Sequence, residues 1–307
     1  MFRRLCRAIL LLQEILFGTL KDIYSFITII KNIKGGDFVI GQVINVFSTK
    51  GGVGKSTTVK LLSLVANELG KKVCIIDTCE NSSIATGFLR DRDSFKKSAY
   101  DWFIGDAKPS EVIQQFGDSN IHYIPSDERI CSFSDWVNQN IPKVKQLQVL
   151  SSKIEPLKKA FDLIFIDSHP TATTELVHYA IAASDYCLIP SEVDKDAVDG
   201  ANRCCQIITD YQQAGYVIDY GIMFNKVELG FKVNEQLKIM KQTLIDLGVP
   251  EAKFLGNVRY SKTVTTTKNE GVMLNRTRNK YADNVMNDIR AVNYRISFAL
   301  KQNEVNP

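Results

Sequence analysis

The stretch Ile44-Asn45-Val46-Phe47-Ser48-Thr49-Lys50-Gly51-Gly52-Val53-Gly54-Lys55-Ser56-Thr57-Thr58 decides the fold. It begins as an apolar β-strand and passes into a glycine-rich loop. It ends in Gly-Lys-Ser-Thr at the start of a helical pattern. A loop of this composition followed by a helix is built for anions. Backbone N–H groups converge at a helix N-terminus, where the helix dipole also favours negative charge. Gly51, Gly52 and Gly54 permit the tight turn and the close approach of backbone to ligand.

The spacing points to a nucleoside triphosphate and magnesium. Lys55 is placed to reach the β- and γ-phosphates, Ser56 to ligate Mg²⁺, and Thr57 to bond the α-phosphate. Thr49 stands where the general G-x-x-x-x-G-K-[ST] pattern has its first glycine.

Residues Lys50-Gly51-Gly52-Val53-Gly54-Lys55-Ser56-Thr57 resemble the deviant Walker A motif of the ParA/MinD family of ATPases. That resemblance implies ATP and Mg²⁺ as cofactors. It also implies a dimer in which Lys50 crosses to the partner's ATP, as an arginine finger does. Lys50 and Lys55 are thereby expected in catalysis. Further segments continue the resemblance between about residues 43 and 300, loosely between about 95 and 160. Lys72–Asp77 reads as a buried strand ending in an acid. Phe161–Pro170 resembles the family's Walker B strand, with Asp167 serving the Mg²⁺ shell. Asp185–Pro190 resembles the next strand. Tyr220–Lys226 resembles the strand whose terminal Asn225 reads the adenine.

One position departs from the family pattern D-x-D-P-Q. The chain reads Asp77-Thr78-Cys79-Glu80-Asn81, so Cys79 replaces the second acid. A thiol does not handle a proton at neutral pH as a carboxylate does. Three readings follow: Glu80 compensates, Asp77 suffices as the catalytic acid, or ATP hydrolysis is slow.

Continuous apolar strands alternate with helical patterns near 55–69, 143–159, 173–182, 196–213, 232–248 and 279–300. This predicts an α/β fold of P-loop type, a single doubly wound, mostly parallel sheet with helices on both faces. Its ligand lies beyond the C-terminal strand ends. The composition, 45% hydrophobic and 23% charged over 307 residues, is that of a globular domain. The seven cysteines form no C-x-x-C pair and the three histidines are scattered, which speaks for a reducing cytoplasm and against a zinc site. Cys204 and Cys205 read as packing residues on a helix.

Residues 1–40 are expected as an N-terminal helical extension, and 41–307 as the ATPase domain. Over residues 2–34 a polar stripe recurs every seven residues, at Arg7, Glu14, Lys21 and Thr28 and at Arg4, Gly18, Ser25 and Asn32. The remaining surface is apolar, which predicts an amphipathic helix preceding the sheet domain. Gln13 and Glu14 interrupt the apolar run, against a secretory signal or a membrane span. Packing on the ATPase, on a second copy or on a membrane surface remain open, as does a start near Val39 that omits the segment.

From Lys226 onward there are 14 Lys+Arg against 8 Asp+Glu, whereas residues 41–225 hold 18 against 23. The positive excess therefore lies at the ends, at Lys262, Lys268, Arg276, Arg278, Lys280, Arg290 and Arg295 among others. The family resemblance implies non-specific DNA binding by such residues in the ATP dimer. It further implies a ParB-like centromere-binding partner that stimulates hydrolysis, in plasmid or chromosome partition. Two rivals stand beside this reading. One is a MinD-like positioning ATPase that binds membrane through residues 2–34, and the other is a weakly hydrolysing ATP-gated scaffold.

Overall fold

The computed structural model describes residues 40–88, 95–168, 174–270 and 272–305. The expected N-terminal helix over 2–34 lies outside them, as do His169 and Pro170. The chain divides after Ile40, and Gly41–Pro307 forms the unit that carries the sheet.

Eight strands make one sheet: β1 (Gln42–Val46), β2 (Val73–Asp77), β3 (Gln114–Gln115), β4 (Ile121–Ile124), β5 (Leu163–Asp167), β6 (Tyr186–Ser191), β7 (Asp219–Val227) and β8 (Phe254–Arg259). Their order is β3-β4-β2-β5-β1-β6-β7-β8. All pairings are parallel except β3 with β4, the short edge hairpin. Every residue of β2 and of β6 is buried, as expected where helices cover both faces of a parallel sheet.

Alternation along the strands sorts the core into two faces. Ile44, Val46 and Phe165 point toward the helices Lys55–Glu68 and Lys280–Val305. On the opposite face Ile76 and Ile166 pack with Trp102 and Phe133, and Ile189 and Phe224 pack with Cys204 and Cys205 of the helix Lys195–Gln213. The two adjacent cysteines are thus core residues. Among the described residues no helix is long and apolar enough to cross a membrane.

The helix expected over 143–159 is corrected. Lys143–Gln148 and Leu157–Lys159 are 3₁₀ turns, and only Val149–Ile154 is α-helical. Pro142 precedes the first turn and Pro156 the last, each without an N–H for a continuous helical ladder.

Gly221 lies inside β7 where Tyr186 and Leu255 close over the backbone. A β-carbon there would overlap the Tyr186 hydroxyl and stand 2.6 Å from Leu255 Cδ1. Gly221→Ala is therefore expected to cost about 2 kcal/mol by overpacking, read as a lower urea midpoint at unchanged slope.

Candidate nucleotide and metal site

Parallel register assembles the site. Val46 of β1 and Asp77 of β2 both pair with Asp167 of β5, so the three strands end on one line. The loop after β1 then crosses that line. Gly52 and Gly54 adopt left-handed backbone, with φ of 80° and 92°. Gly54 precedes the helix Lys55–Glu68, whose first turn carries neither a capping side chain nor an acid. Its N–H groups are thereby left for an anion. Gly51 and Gly52 are exposed, Val53 is buried, and Ser56 and Thr57 are half-buried.

Lys55 is buried at the foot of the loop. Burial lowers its pKa, and the nearby charge of Asp167 opposes that shift. Asp167 is fully buried, and neither oxygen has a hydrogen-bond partner of good geometry. Its pKa is raised by burial and drawn back by the Ser56 hydroxyl, Lys60 and Lys55. A buried, unpartnered carboxylate beside a serine hydroxyl is a hard-oxygen donor set, and it fits Mg²⁺. Thr78 Oγ1 donates to the Asp167 carbonyl at 2.8 Å, fixing the strand end.

Asp77, expected in catalysis, is bound by backbone of its own chain. Its Oδ1 accepts from Cys79 N at 2.9 Å and its Oδ2 from Ile84 N at 2.8 Å. The carboxylate thus anchors the loop that follows β2, and burial together with Asp167 raises its pKa. Cys79 is buried against Asp167, with Sγ 3.7 Å from the Asp167 carbonyl oxygen. Burial, Asp167 and Asp77 push its thiol pKa up. Glu80, the residue that could compensate, is exposed and accepts the Cys131 thiol at 3.1 Å.

Asn225 and Lys226, at the end of β7, hold the loop from the side. Asn225 Nδ2 donates to the Val53 carbonyl at 2.8 Å, and its Oδ1 accepts Lys226 N. The carboxamide expected at the adenine is therefore engaged with the phosphate loop. Lys226 adopts left-handed backbone at a register shift against β8, with φ of 55°. Its Nζ reaches the Gly52 carbonyl at 2.6 Å and Glu192 at 2.7 Å.

Lys50 folds back within its own chain onto Asp194, with Nζ 2.6 and 2.8 Å from the two carboxylate oxygens. Asp194 also caps the helix Lys195–Gln213 by accepting Ala197 N. The pair is part-exposed, which limits its worth to about 0–1 kcal/mol. No recognised motif of the sequence gives Glu192, Asp194 or Lys226 a role. Asp194 was detectable as an N-cap aspartate ahead of a helical run. Lys226 carried no signal.

Of the basic residues, Lys262, Arg276, Arg278, Lys280 and Arg295 are exposed. Arg290 is half-buried and bound to Glu68 at 2.9 Å, so it is spoken for within the chain.

A family model described as an AAA domain, AAA_31, matches residues 41–218. The sporulation initiation inhibitor protein Soj of Bacillus subtilis is 24% identical over 207 residues, covering 65% of this chain and 79% of Soj. The chromosome partitioning protein ParA of Myxococcus xanthus is 24% identical over 232 residues, 73% of this chain and 78% of that protein. Among solved structures, the ATP complex of a Cyanothece McdA variant superposes with a TM-score of 0.73 at 20% identity, over 84% of this chain and 97% of that one. Sequence match, overall fold and phosphate loop agree, and the chain belongs to the ParA/MinD family of P-loop ATPases, within the AAA_31 domain family.

Proposed function

We propose that the chain is an ATP-dependent dimerising switch of ParA type, acting in plasmid or chromosome partition. ATP lies on the N–H groups of Gly51 to Thr57, with Lys55 on its phosphates and Mg²⁺ on Ser56 and Asp167. The nucleotide dimer binds DNA without sequence preference through exposed basic residues of the C-terminal third, Arg276, Arg278 and Lys280 foremost. A DNA-bound partner stimulates hydrolysis and releases the dimer.

The observation that carries this reading is the Lys50–Asp194 pair. It stores within one chain a cation that the dimer uses across its interface. The weak, part-exposed pairing lets Lys50 leave when a triphosphate on a second protomer offers a stronger partner.

Sedimentation of the full chain tests it. ATP with Mg²⁺ is expected to convert monomer to dimer. Lys50→Ala stays monomeric, and Asp194→Asn dimerises at about 5-fold lower protein concentration, the equivalent of ~1 kcal/mol summed over the two pairs that a dimer breaks. The dimer's affinity for duplexes of unrelated sequence falls steeply with salt. Absence of nucleotide-dependent dimerisation, or its persistence in Lys50→Ala, overturns the proposal.

Turnover is slow in this reading because Cys79 supplies no base. Cys79→Asp is expected to raise the rate of multiple-turnover phosphate release at least ~10-fold, the low side of what a positioned acid–base group contributes. An unchanged rate in Cys79→Asp would assign the slow step elsewhere.

A further inference from the structure

Among the described residues, Asp77, Cys79 and Asp167 bring three metal-ligating atoms within 4.8 Å of one another, all buried. Asp167 offers two enclosed oxygens with no hydrogen-bond partner of good geometry, the Ser56 hydroxyl standing nearby. Each Asp77 oxygen accepts one backbone N–H, which leaves a lone pair on each. A buried carboxylate without donors is costly, and a cation seated against it removes that cost.

The donor set indicates which cation. Mg²⁺ demands six hard ligands, and sulfur contributes nothing to it. Zinc-class ions take four ligands in mixed sulfur and oxygen sets, with metal–sulfur distances of about 2.3 Å and metal–oxygen distances of about 2.0–2.2 Å. Ligand atoms around such an ion stand roughly 3.3–3.8 Å apart, so the cluster closes on it with a side-chain adjustment of about 1 Å.

We propose that Asp77, Cys79 and Asp167 form a site for one thiophilic divalent cation, of the zinc class. On binding, the Cys79 S–H bond breaks, a metal–sulfur bond forms and the proton leaves to solvent, with no change of oxidation state. Solvent completes the fourth position. The ion shares Asp167 with the Mg²⁺ of the proposed nucleotide site, so the two metals exclude each other. That exclusion rests on the function proposed above, while the metal site itself does not. Lys55, which lies close enough to sense both Asp167 and Cys79, opposes the ion's charge.

The test is a titration of the full, chelator-stripped chain with Cd²⁺ alone, followed by sulfur-to-metal charge-transfer absorption in the ultraviolet. One ion per chain is expected, displaced by Zn²⁺ at comparable concentration and, because Asp167 is shared, by Mg²⁺ only at ~100-fold or greater excess. The band is lost in Cys79→Ser and kept in a Cys6→Ser/Cys131→Ser double variant. Asp167→Asn weakens binding at least ~10-fold, and thermal melts establish that each variant is folded. No band, or a band that survives Cys79→Ser, overturns the site. Loss of the band in the double variant assigns the ion to the other thiols and overturns it equally. Lys55→Ala separates the two proposals, because it should abolish ATP binding while Cd²⁺ binding is kept or tightened. Cd²⁺ binding by a wild-type chain that fails to bind ATP leaves the metal site standing and removes the nucleotide reading.

Discussion

Gly54→Ala is expected to destabilise the fold by about 3 kcal/mol and to weaken ATP binding by ~100-fold or more, about 2.7 kcal/mol. Two costs add. The backbone at Gly54 is left-handed, with φ of 92°, where a side chain costs about 1–2 kcal/mol. The new β-carbon also overlaps the Asn225 carboxamide, which must move and give up the Val53 carbonyl. Leaving that buried pair unsatisfied costs a further ~1–3 kcal/mol. Gly52→Ala is the internal control. Its φ is 80°, but a β-carbon there meets nothing within 4 Å, so only the backbone cost applies. Urea denaturation of both variants, with titration of a fluorescent ATP analogue, distinguishes the two costs. Equal losses in Gly52→Ala and Gly54→Ala would show that the Asn225 contact contributes nothing.

Asp167→Asn is expected to do two opposite things: stabilise the metal-free protein and abolish Mg²⁺-dependent ATP binding. Burial raises the folded pKa of Asp77 to about 8 and that of Asp167 to about 6. A carboxyl whose folded pKa lies above its unfolded value contributes stability that is fully present below the unfolded pKa, near 4. That contribution is lost as pH rises through the folded values, because ionising the native state means charging a buried site beside another acid. Wild-type stability without Mg²⁺ should therefore fall between about pH 4 and pH 8. Asp167→Asn removes one charge of the pair and flattens this slope. At pH 8 the gain is on the order of 2 kcal/mol, given ~1.4 kcal/mol per pH unit of difference between the folded and unfolded titrations. For a domain of this size that is roughly 5 °C in Tm. Added Mg²⁺ should stabilise the wild type at pH 8 and leave Asp167→Asn unmoved. A variant that melts lower than wild type at pH 8 without Mg²⁺ would show that Asp167 is satisfied in the native state.

The strands that place the site were legible because each is a continuous apolar run ending in a polar residue of the loop chemistry: Val46 into the glycines, Ile76 into Asp77, Ile166 into Asp167 and Phe224 into Asn225. The helices at 55, 175, 195, 231 and 280 carried clear periodicity. What escaped notice was short or broken. β4 is four residues, Ile121-His122-Tyr123-Ile124. β8 alternates poorly because Gly256 and Asn257 interrupt it at a shift in register. The helices Ser83–Phe88, Ala99–Ile104, Pro109–Val112, Phe133–Asn140 and Lys262–Glu270 are one to three turns long, too short for a period of 3.6 to declare itself. The motifs single out Lys50, Lys55, Asp77, Asp167 and Asn225 by resemblance, but not the contacts that these side chains make within the chain. No motif marks the partners that hold two of them: Ile84 N, in the helix Ser83–Phe88 after β2, for Asp77, and the Val53 carbonyl, 172 positions away, for Asn225.

The two bonds from the end of β7 have a stereochemical consequence. A trans peptide is planar, so its C=O and N–H vectors point in opposite directions. Lys226 fixes the carbonyl of Gly52 and Asn225 fixes that of Val53, two consecutive peptide planes. The N–H groups of Val53 and Gly54, which share those planes, must then face away from β7 and toward the loop's concave side. The polarity of the anion-binding loop is thereby imposed by residues 172 and 174 positions further along the chain. A peptide flip, which would turn a carbonyl onto the phosphates and repel them, is blocked from outside the motif.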